Sequence, residues 1–233
     1  MNGNARIGRR AACAGMIAAG GSVFLVGGAA AARPRPGKIV AAGPARKTAD
    51  FYDAAGKFQE QAAKEAYFDL MRAAGYPISE NVRKNLAATD FALGRFTEVG
   101  LGCVVWVSDP KGNYASLEVF LLPNQIIPEH WHVALPEEGV TAKMESWIVR
   151  WGSTFTYGEG EPTAKLGVTI PESEAKYLTV KHETPLRLGE VTGIKKPGEK
   201  HWQQAGPEGA IITEVSTFHT GKAVRFTNPN VKF

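Results

Sequence analysis

Ile127-Pro-Glu-His-Trp-His132 is the stretch on which the reading of this chain turns. Strand side chains alternate with a period of two, so histidines separated by one residue share a face. His130 and His132 are therefore expected to point into the same space. The preceding run Leu117–Leu122, Leu-Glu-Val-Phe-Leu-Leu, is apolar and β-prone, as a buried strand leading up to the pair would be. Two imidazoles on a rigid strand supply half of a metal site. A first-row divalent ion accepts imidazole and carboxylate and needs three or four protein donors, so the other half is sought downstream.

Glu145 is the first candidate. It opens a second β-prone segment, Glu145–Tyr157, in which alternation places Glu145, Trp147, Val149 and Trp151 on one face. The other candidate is His201, in Lys196-Pro-Gly-Glu-Lys-His-Trp202, where a Pro-Gly turn directs a histidine at the start of another strand. Glu137 and Glu138 compete for the carboxylate role from Val133–Met144, which reads as a loop insertion between the two strands. The chain has five histidines, and three fall on these positions. His182 lies in a strand with no motif and reads as structural, and His219, after the last strand, is left unassigned near a cavity mouth.

The ordered set His-x-His, a glutamate at a strand start, and Pro-Gly-x-x-His is similar to the paired motifs of the cupin superfamily, small all-β jelly-roll barrels. That resemblance implies His130, His132, Glu145 and His201 as metal ligands. From Thr89 onward, many short strands with Pro, Gly and Asp turns and no intervening helix agree with an antiparallel sandwich or barrel over residues 89–233. The expected strands are Phe96–Val99, Gly102–Ser108, Ala115–Leu122, Gln125–His132, Glu145–Tyr157, Thr179–Leu188, Glu190–Ile194, His201–Gln204 and Ala210–Ser216. Gly158–Ser173 reads as a long crossing loop. Residues 50–88 read as a helical segment: one helix from an Asp50 cap to about Ala74, a break at Pro77, and a shorter helix over Ser79–Leu86.

The first 32 residues have the pattern of an export signal: Arg6, Arg9 and Arg10 without an acidic residue, then a Gly/Ala-rich, mildly apolar stretch ending in alanines. The Arg9-Arg10 pair points to the twin-arginine route and hence to the periplasm. So many glycines and alanines would anchor poorly in a bilayer, so cleavage without a stable membrane anchor is expected. Residues 33–49 read as a flexible lead. The formal charge of +4 owes three charges to the signal, so the mature domain is close to neutral and a nucleic-acid surface is not indicated. Cys103 is then the one mature thiol, and it reads as packing in a buried strand.

A narrower resemblance comes from the flanking residues. Thr89-Asp-Phe-Ala-Leu-Gly-Arg-Phe, Pro128-Glu-His-Trp-His, Glu145 leading to Arg150-Trp-Gly, Tyr157-Gly-Glu-Gly-Glu, Lys200-His-Trp-Gln-Gln-Ala-Gly-Pro-Glu-Gly-Ala and Thr213-Glu-Val-Ser together resemble the bacterial D-lyxose ketol-isomerase family of cupins. The similarity runs from about Ile78 to Phe233. The chain departs from the family in its export signal and in the longer Val133–Met144 insertion. The resemblance implies a homodimer and a metal-dependent interconversion of the sugars D-lyxose and D-xylulose, with mannose and fructose as slower substrates. Manganese suits an imidazole-plus-carboxylate site, and iron, cobalt or zinc could also occupy it.

Glu214 is the candidate acid–base group, being a charge inside the apolar strand Ala210–Ser216, where an unpartnered carboxylate would be costly to bury. Lys200 is a candidate for polarising a substrate oxygen, although strict alternation from His201 would turn it away. Trp147 and Trp151 are candidate walls for the sugar. Two other classes are compatible with the ligand pattern: an iron-dependent cupin dioxygenase, whose cavity should be mostly apolar, and a non-catalytic periplasmic cupin that binds a sugar or a metal.

Overall fold

The structure is a computed structural model and describes residues 46–233. The export signal expected over 1–32 and the lead as far as 45 lie outside the described residues. Within them, the helical segment comes first and a single antiparallel sheet follows.

The helix expected from Asp50 starts later. A short 3-10 turn spans Thr48–Phe51, and the chain then folds back so that Tyr52 bridges Phe58. The Asp53 carboxylate accepts from the backbone N–H groups of Ala55 and Lys57, and Gly56 takes a positive φ of 75°. Such an aspartate-capped turn competes with helix. Helix α1 therefore runs over Glu60–Ala74, ending at Gly75 in the left-handed conformation. Helix α2, Glu80–Asn85, is capped by Ser79, whose hydroxyl accepts from the Val82 N–H at 3.2 Å.

Nine strands follow: β1 Ala87–Thr89, β2 Leu101–Asp109, β3 Tyr114–Leu121, β4 Ile126–His132, β5 Glu145–Gly158, β6 His182–Arg187, β7 Val191–Gly193, β8 His201–Ser216 and β9 Val224–Phe226. They are hydrogen-bonded in the order β1-β2-β3-β8-β4-β9, with β5 on the other side of β8 and carrying β6 and β7. All these pairings are antiparallel. The sheet curls as a cupin-type jelly roll does, but its ladder is not closed. The expected strand Phe96–Val99 is irregular and keeps only a bridge from Val99 to Ile126.

His201–Gln204 and Ala210–Ser216, expected as two strands, are halves of the single strand β8. Its first half lies between β4 and β5, its second between β3 and β5. The Gly206-Pro-Glu-Gly209 segment bends it. Gly209 has φ 90° and, beside it in β5, Gly152 has φ 70°. A Cβ on Gly152 would sit 2.1 Å from the Gly209 carbonyl oxygen. Glycine is needed at such a close backbone approach. One strand thus serves both sides of the curled sheet.

Apolar clusters lie on both faces. Outside, Ala63, Ala66, Tyr67, Leu70 and Met71 of α1 pack on Val104, Phe120 and Ile211. Here Tyr67 donates to Gln125 at 2.8 Å, and its ring lies so close to the sheet that a Cβ at Gly102 would meet it at 2.6 Å. Inside, Val119, Leu121, Trp147, Ala205, Ala210 and Ile212 cluster together. The loop between β5 and β6, with a four-residue helix α3 at Glu172–Ala175, covers a third group around the stacked rings of Tyr157 and Trp202. The buried Glu129 carboxylate ties that loop down: it accepts from the Thr179 hydroxyl at 2.7 Å and the Val180 N–H at 2.9 Å. Each fully buried aliphatic or aromatic side chain contributes roughly 1.5–3 kcal/mol.

Candidate active site

The inner face of the curled sheet holds the four residues singled out by spacing. His130 of β4 lies directly opposite His201 of β8 in the ladder, with ring centroids 4.2 Å apart. His132, two residues on, has its ring 5.2 Å from His130 and 5.5 Å from His201. Glu145, the first residue of β5, completes the set. Its Oε1 lies 3.0 Å from His132 Nε2 and 2.8 Å from His201 Nε2. One potential ligand atom from each of the four lies within 4.8 Å of all the others.

Hydrogen bonds around the histidines set which nitrogen is free. His130 Nδ1 is 2.8 Å from the Pro128 carbonyl and His201 Nδ1 is 2.9 Å from the Glu199 carbonyl. A carbonyl can only accept, so both rings carry hydrogen on Nδ1 and turn Nε2 toward the cluster as the nitrogen able to ligate. His201 Nε2 is buried and makes no hydrogen bond of good geometry, despite its closeness to Glu145. A buried polar atom without a partner asks for an explanation. Three imidazoles and one carboxylate converging on a point are the donor set that a first-row divalent cation accepts, and the residues present fit one.

Charge is arranged to suit. Burial lowers the pKa of His130 well below the ordinary histidine value and that of His132 also, which favours the neutral, ligating form. Burial works against the charge of Glu145, but Lys143 and His201 outweigh it and hold the carboxyl well below the usual range. Burial likewise opposes the His201 cation, while the Glu145 carboxylate raises its pKa more. A cation binding here would displace that proton.

Lys143 was not among the expected site residues. It is the last residue but one of the Val133–Met144 segment, is buried, and places Nζ 2.6 Å from Glu145 Oε2 and 2.5 Å from Glu214 Oε1. The signal for it was the spacing Lys143-Met-Glu145, since residues two apart at a strand start share a face. The competing carboxylates are elsewhere. Glu137 and Glu138 lie in an exposed 3-10 turn, Pro136–Glu138, and Glu138 pairs with Lys222 at 2.9 Å.

Glu214 faces inward and is buried. It sits opposite Leu117 on one side and Trp147 on the other. Burial raises its pKa above the usual carboxylate value, against the opposing pull of Lys143. Trp147 also lines the cavity, with its ring 5.4 Å from that of His201. His219 borders the same space, its ring 4.9 Å from His132, and burial together with the Lys143 charge pushes its pKa down to about 3. Gln203, which spacing did not single out, adds an amide to the lining. His182 is on the surface loop side, beside the Glu161 carbonyl.

Two expected residues are not in the cavity. Trp151 packs with the outer cluster against the helices. The β5–β8 register slips between Val149 and Trp151, so Val149 is opposite Ile212 of the inner cluster whereas Trp151 is opposite Ile211 of the outer one. A bulge with one extra residue reverses the alternation beyond it. Lys200 also points away, as strict alternation from His201 requires. Its Nζ lies 3.4 Å from Glu129 Oε1, 3.3 Å from the Thr227 hydroxyl and 5.0 Å from the centre of the Trp131 ring.

A D-lyxose ketol-isomerase of Cohnella laeviribosi is 37% identical over 170 residues, covering 73% of this chain and 91% of that protein. A D-lyxose/D-mannose isomerase of Thermosediminibacter oceani is 34% identical over 169 residues, covering 72% and 91%. This chain belongs to the D-lyxose ketol-isomerase family. No family model matches the chain. Among solved structures, the L-ribose isomerase of Acinetobacter sp. DL28 in complex with L-ribose superposes with a TM-score of 0.57 at 16% identity, covering 78% of this chain and 95% of that one. At that identity the likeness concerns the fold, and it agrees with the curled antiparallel sheet described for this D-lyxose ketol-isomerase family member.

Proposed function

We propose that the chain is a divalent-metal-dependent aldose–ketose isomerase that interconverts D-lyxose and D-xylulose, with D-mannose and D-fructose as a slower pair. The observation that carries this reading is the convergence of His130, His132, Glu145 and His201 on one point, beside a second buried carboxylate, Glu214, in the same cavity. Manganese is the proposed ion, with iron, cobalt or zinc able to take its place. When bound, the ion supplies Lewis-acid polarisation of adjacent substrate oxygens and a template for their orientation.

The chain's own residues account for the proton movements. Glu214 accepts the hydrogen of C2 as a proton, and the released electron pair becomes the C1–C2 double bond of an enediolate whose negative charge rests on O1. Glu214 then returns the proton to C1, while the hydroxyl proton of O2 passes to O1 and leaves the carbonyl at C2. A carboxylate whose pKa is raised by burial is better matched to both halves of that exchange. Lys143 holds Glu214 Oε1 at 2.5 Å, leaving Oε2 to the substrate, and keeps a positive charge beside the place where oxygen charge develops. Trp147 forms a flat wall next to His201.

Export by the twin-arginine route to the periplasm belongs to the same proposal, supported by Arg9-Arg10 and the alanine-rich stretch that follows, as does a homodimer, supported by the family resemblance. The mass of the mature N-terminus in a periplasmic fraction tests the first. For the activity, protein stripped of metal and reloaded with Mn²⁺ is incubated with D-lyxose and a panel of aldoses while ketose is measured. No ketose from any sugar, with the metal bound, removes the isomerase reading.

A further inference from the structure

The cavity has two unlike ends. One carries the four convergent ligand residues with Lys143, Glu214, Gln203 and His219. The other is formed by Leu101, Cys103 and Val105 of β2 and Leu117 and Val119 of β3. Among the described residues, these two strands contribute no hydroxyl, amide or charged side chain to the lining. Their polar residues are turned to the other face: Glu118 accepts from Thr213 there, and Ser116 is paired with the exposed Val215. The backbone offers little in compensation. The β2–β3 register is unbroken from Gly102–Val105 to Leu117–Phe120, and β3 is paired with β8 along its other side from Ala115 to Leu121. The N–H and C=O groups of β3 are thus committed to ladders on both sides, whereas β2 beyond Cys103 is paired with β3 alone and Val105, 52% exposed, lies at the rim of the wall.

The register also fixes the order across the inner face. Glu214 is opposite Leu117, and Leu117 is opposite Val105. Strands are spaced ~4.8 Å apart, so Val105 lies roughly 10 Å from Glu214 with Leu117 midway. In an open-chain hexose, C6 is four single bonds from C2, roughly 5 Å along an extended chain. A substrate with C2 at Glu214 and its tail laid along this row would place its terminal carbon on Leu117, with Val119 on the neighbouring rung.

From this we infer that the apolar β2–β3 wall selects the end of the sugar away from the reacting carbons, and that among six-carbon substrates the enzyme prefers a 6-deoxy aldose, which ends in a methyl group, over the aldose ending in a hydroxymethyl group. The inference rests on the isomerase reading of the site. A hydroxyl placed on the β3 part of this wall, over Leu117 and the buried Val119, would lose its water without gaining a partner, whereas a methyl would lose nothing. The discrimination has a ceiling, because an apolar pocket rejects an added hydroxyl by at most about 100-fold.

The test uses Mn²⁺-loaded protein and two sugars that differ in one oxygen, D-mannose and 6-deoxy-D-mannose. Both close to the same pyranose ring through O5. The expected result is a kcat/KM about 10- to 100-fold higher for the deoxy sugar. Val119→Thr and Leu117→Asn each put a hydrogen-bonding group on the wall, and each should shrink that ratio several-fold. A wild-type ratio at or below one overturns the inference, as does ketose from D-lyxose with neither hexose turned over; both results leave the isomerase reading standing. Absence of ketose from all three sugars removes the isomerase reading and this inference with it.

Discussion

Lys143→Met tests the least expected feature of the site. In the native protein the ammonium is buried between two buried carboxylates, 2.6 Å from Glu145 and 2.5 Å from Glu214. Methionine matches most of the lysine stem and removes only the charge. Among the described residues Glu214 then has no cation within hydrogen-bond distance, while Glu145 keeps its contacts with His132 and His201. Removing one partner of a buried ion pair costs about 3–5 kcal/mol, chiefly because the other charge is left without compensation. For a domain of this size each kcal/mol moves Tm by 2–4 °C, so metal-free Lys143→Met should melt roughly 6–20 °C below the native protein.

The pH of that measurement matters little near neutrality. Burial opposes the charge of Lys143, but Glu214 and Glu145 raise its pKa above the ordinary value. A raised pKa stabilises fully below the unfolded-state value of about 10.4 and loses its effect only as pH climbs through the higher folded value. Thermal unfolding at pH 7.5 therefore reads the whole effect. The double variant Lys143→Met/Glu214→Leu should recover more than half of the loss, because the carboxylate left without a partner is then gone. Saturating Mn²⁺ should also narrow the gap, since a cation that binds the folded state alone stabilises it by mass action. A single variant that melts within a degree or two of native protein, or a double variant that melts lower still, would refute the account of a lysine neutralising two site carboxylates.

Glu214→Gln should bind Mn²⁺ as the native protein does while kcat falls about 10²- to 10⁴-fold, the usual worth of a general acid–base group; undiminished turnover would place the base elsewhere. Because burial raises the Glu214 pKa and the base must be ionised, kcat/KM should fall on the acid side with a midpoint above the ordinary glutamate value of about 4.3, and a midpoint at or below it would contradict the assignment. His201→Ala should abolish most of the Tm gain that Mn²⁺ produces, and an unchanged gain would take His201 out of the ligand set. Trp147→Ala should raise KM, whereas Trp151→Ala should lower Tm and leave KM as it was. The opposite pattern would mean that the β5 bulge does not reverse the two side chains.

The histidine pair, the leading glutamate and the Pro-Gly-x-x-His segment were legible because each depends on local geometry. Strand alternation aims His130 and His132 together, and a tight turn aims His201. Glu214 stood out for a related reason, as a charge in a run too apolar to tolerate one unless it faced a polar space. Trp151 faces outward, against simple alternation, because an extra residue in β5 reverses it, and nothing in Val149-Arg-Trp151 announces a bulge. Lys143 does not stand out in the sequence because the insertion around it reads as loop, and a lysine in a loop is ordinarily solvated. Joining His201–Gln204 to Ala210–Ser216 required the pairing with β5, since Gly206-Pro-Glu-Gly209 by itself reads as a turn.

By itself, then, the sequence determined a strand-rich domain behind a longer and a shorter helix, the identity of the four metal-ligand candidates and the family resemblance, because periodicity and turn chemistry act over a few residues. Only the tertiary structure decided which faces meet: that Lys143 is buried between Glu145 and Glu214, that Lys200 and Trp151 are turned outward, and that an apolar wall faces the polar end of the cavity. Those facts depend on register and bulges between strands far apart in the chain, as Ala115 and Ser216 are, and a register is set by the sum of packing on both faces rather than by any one segment.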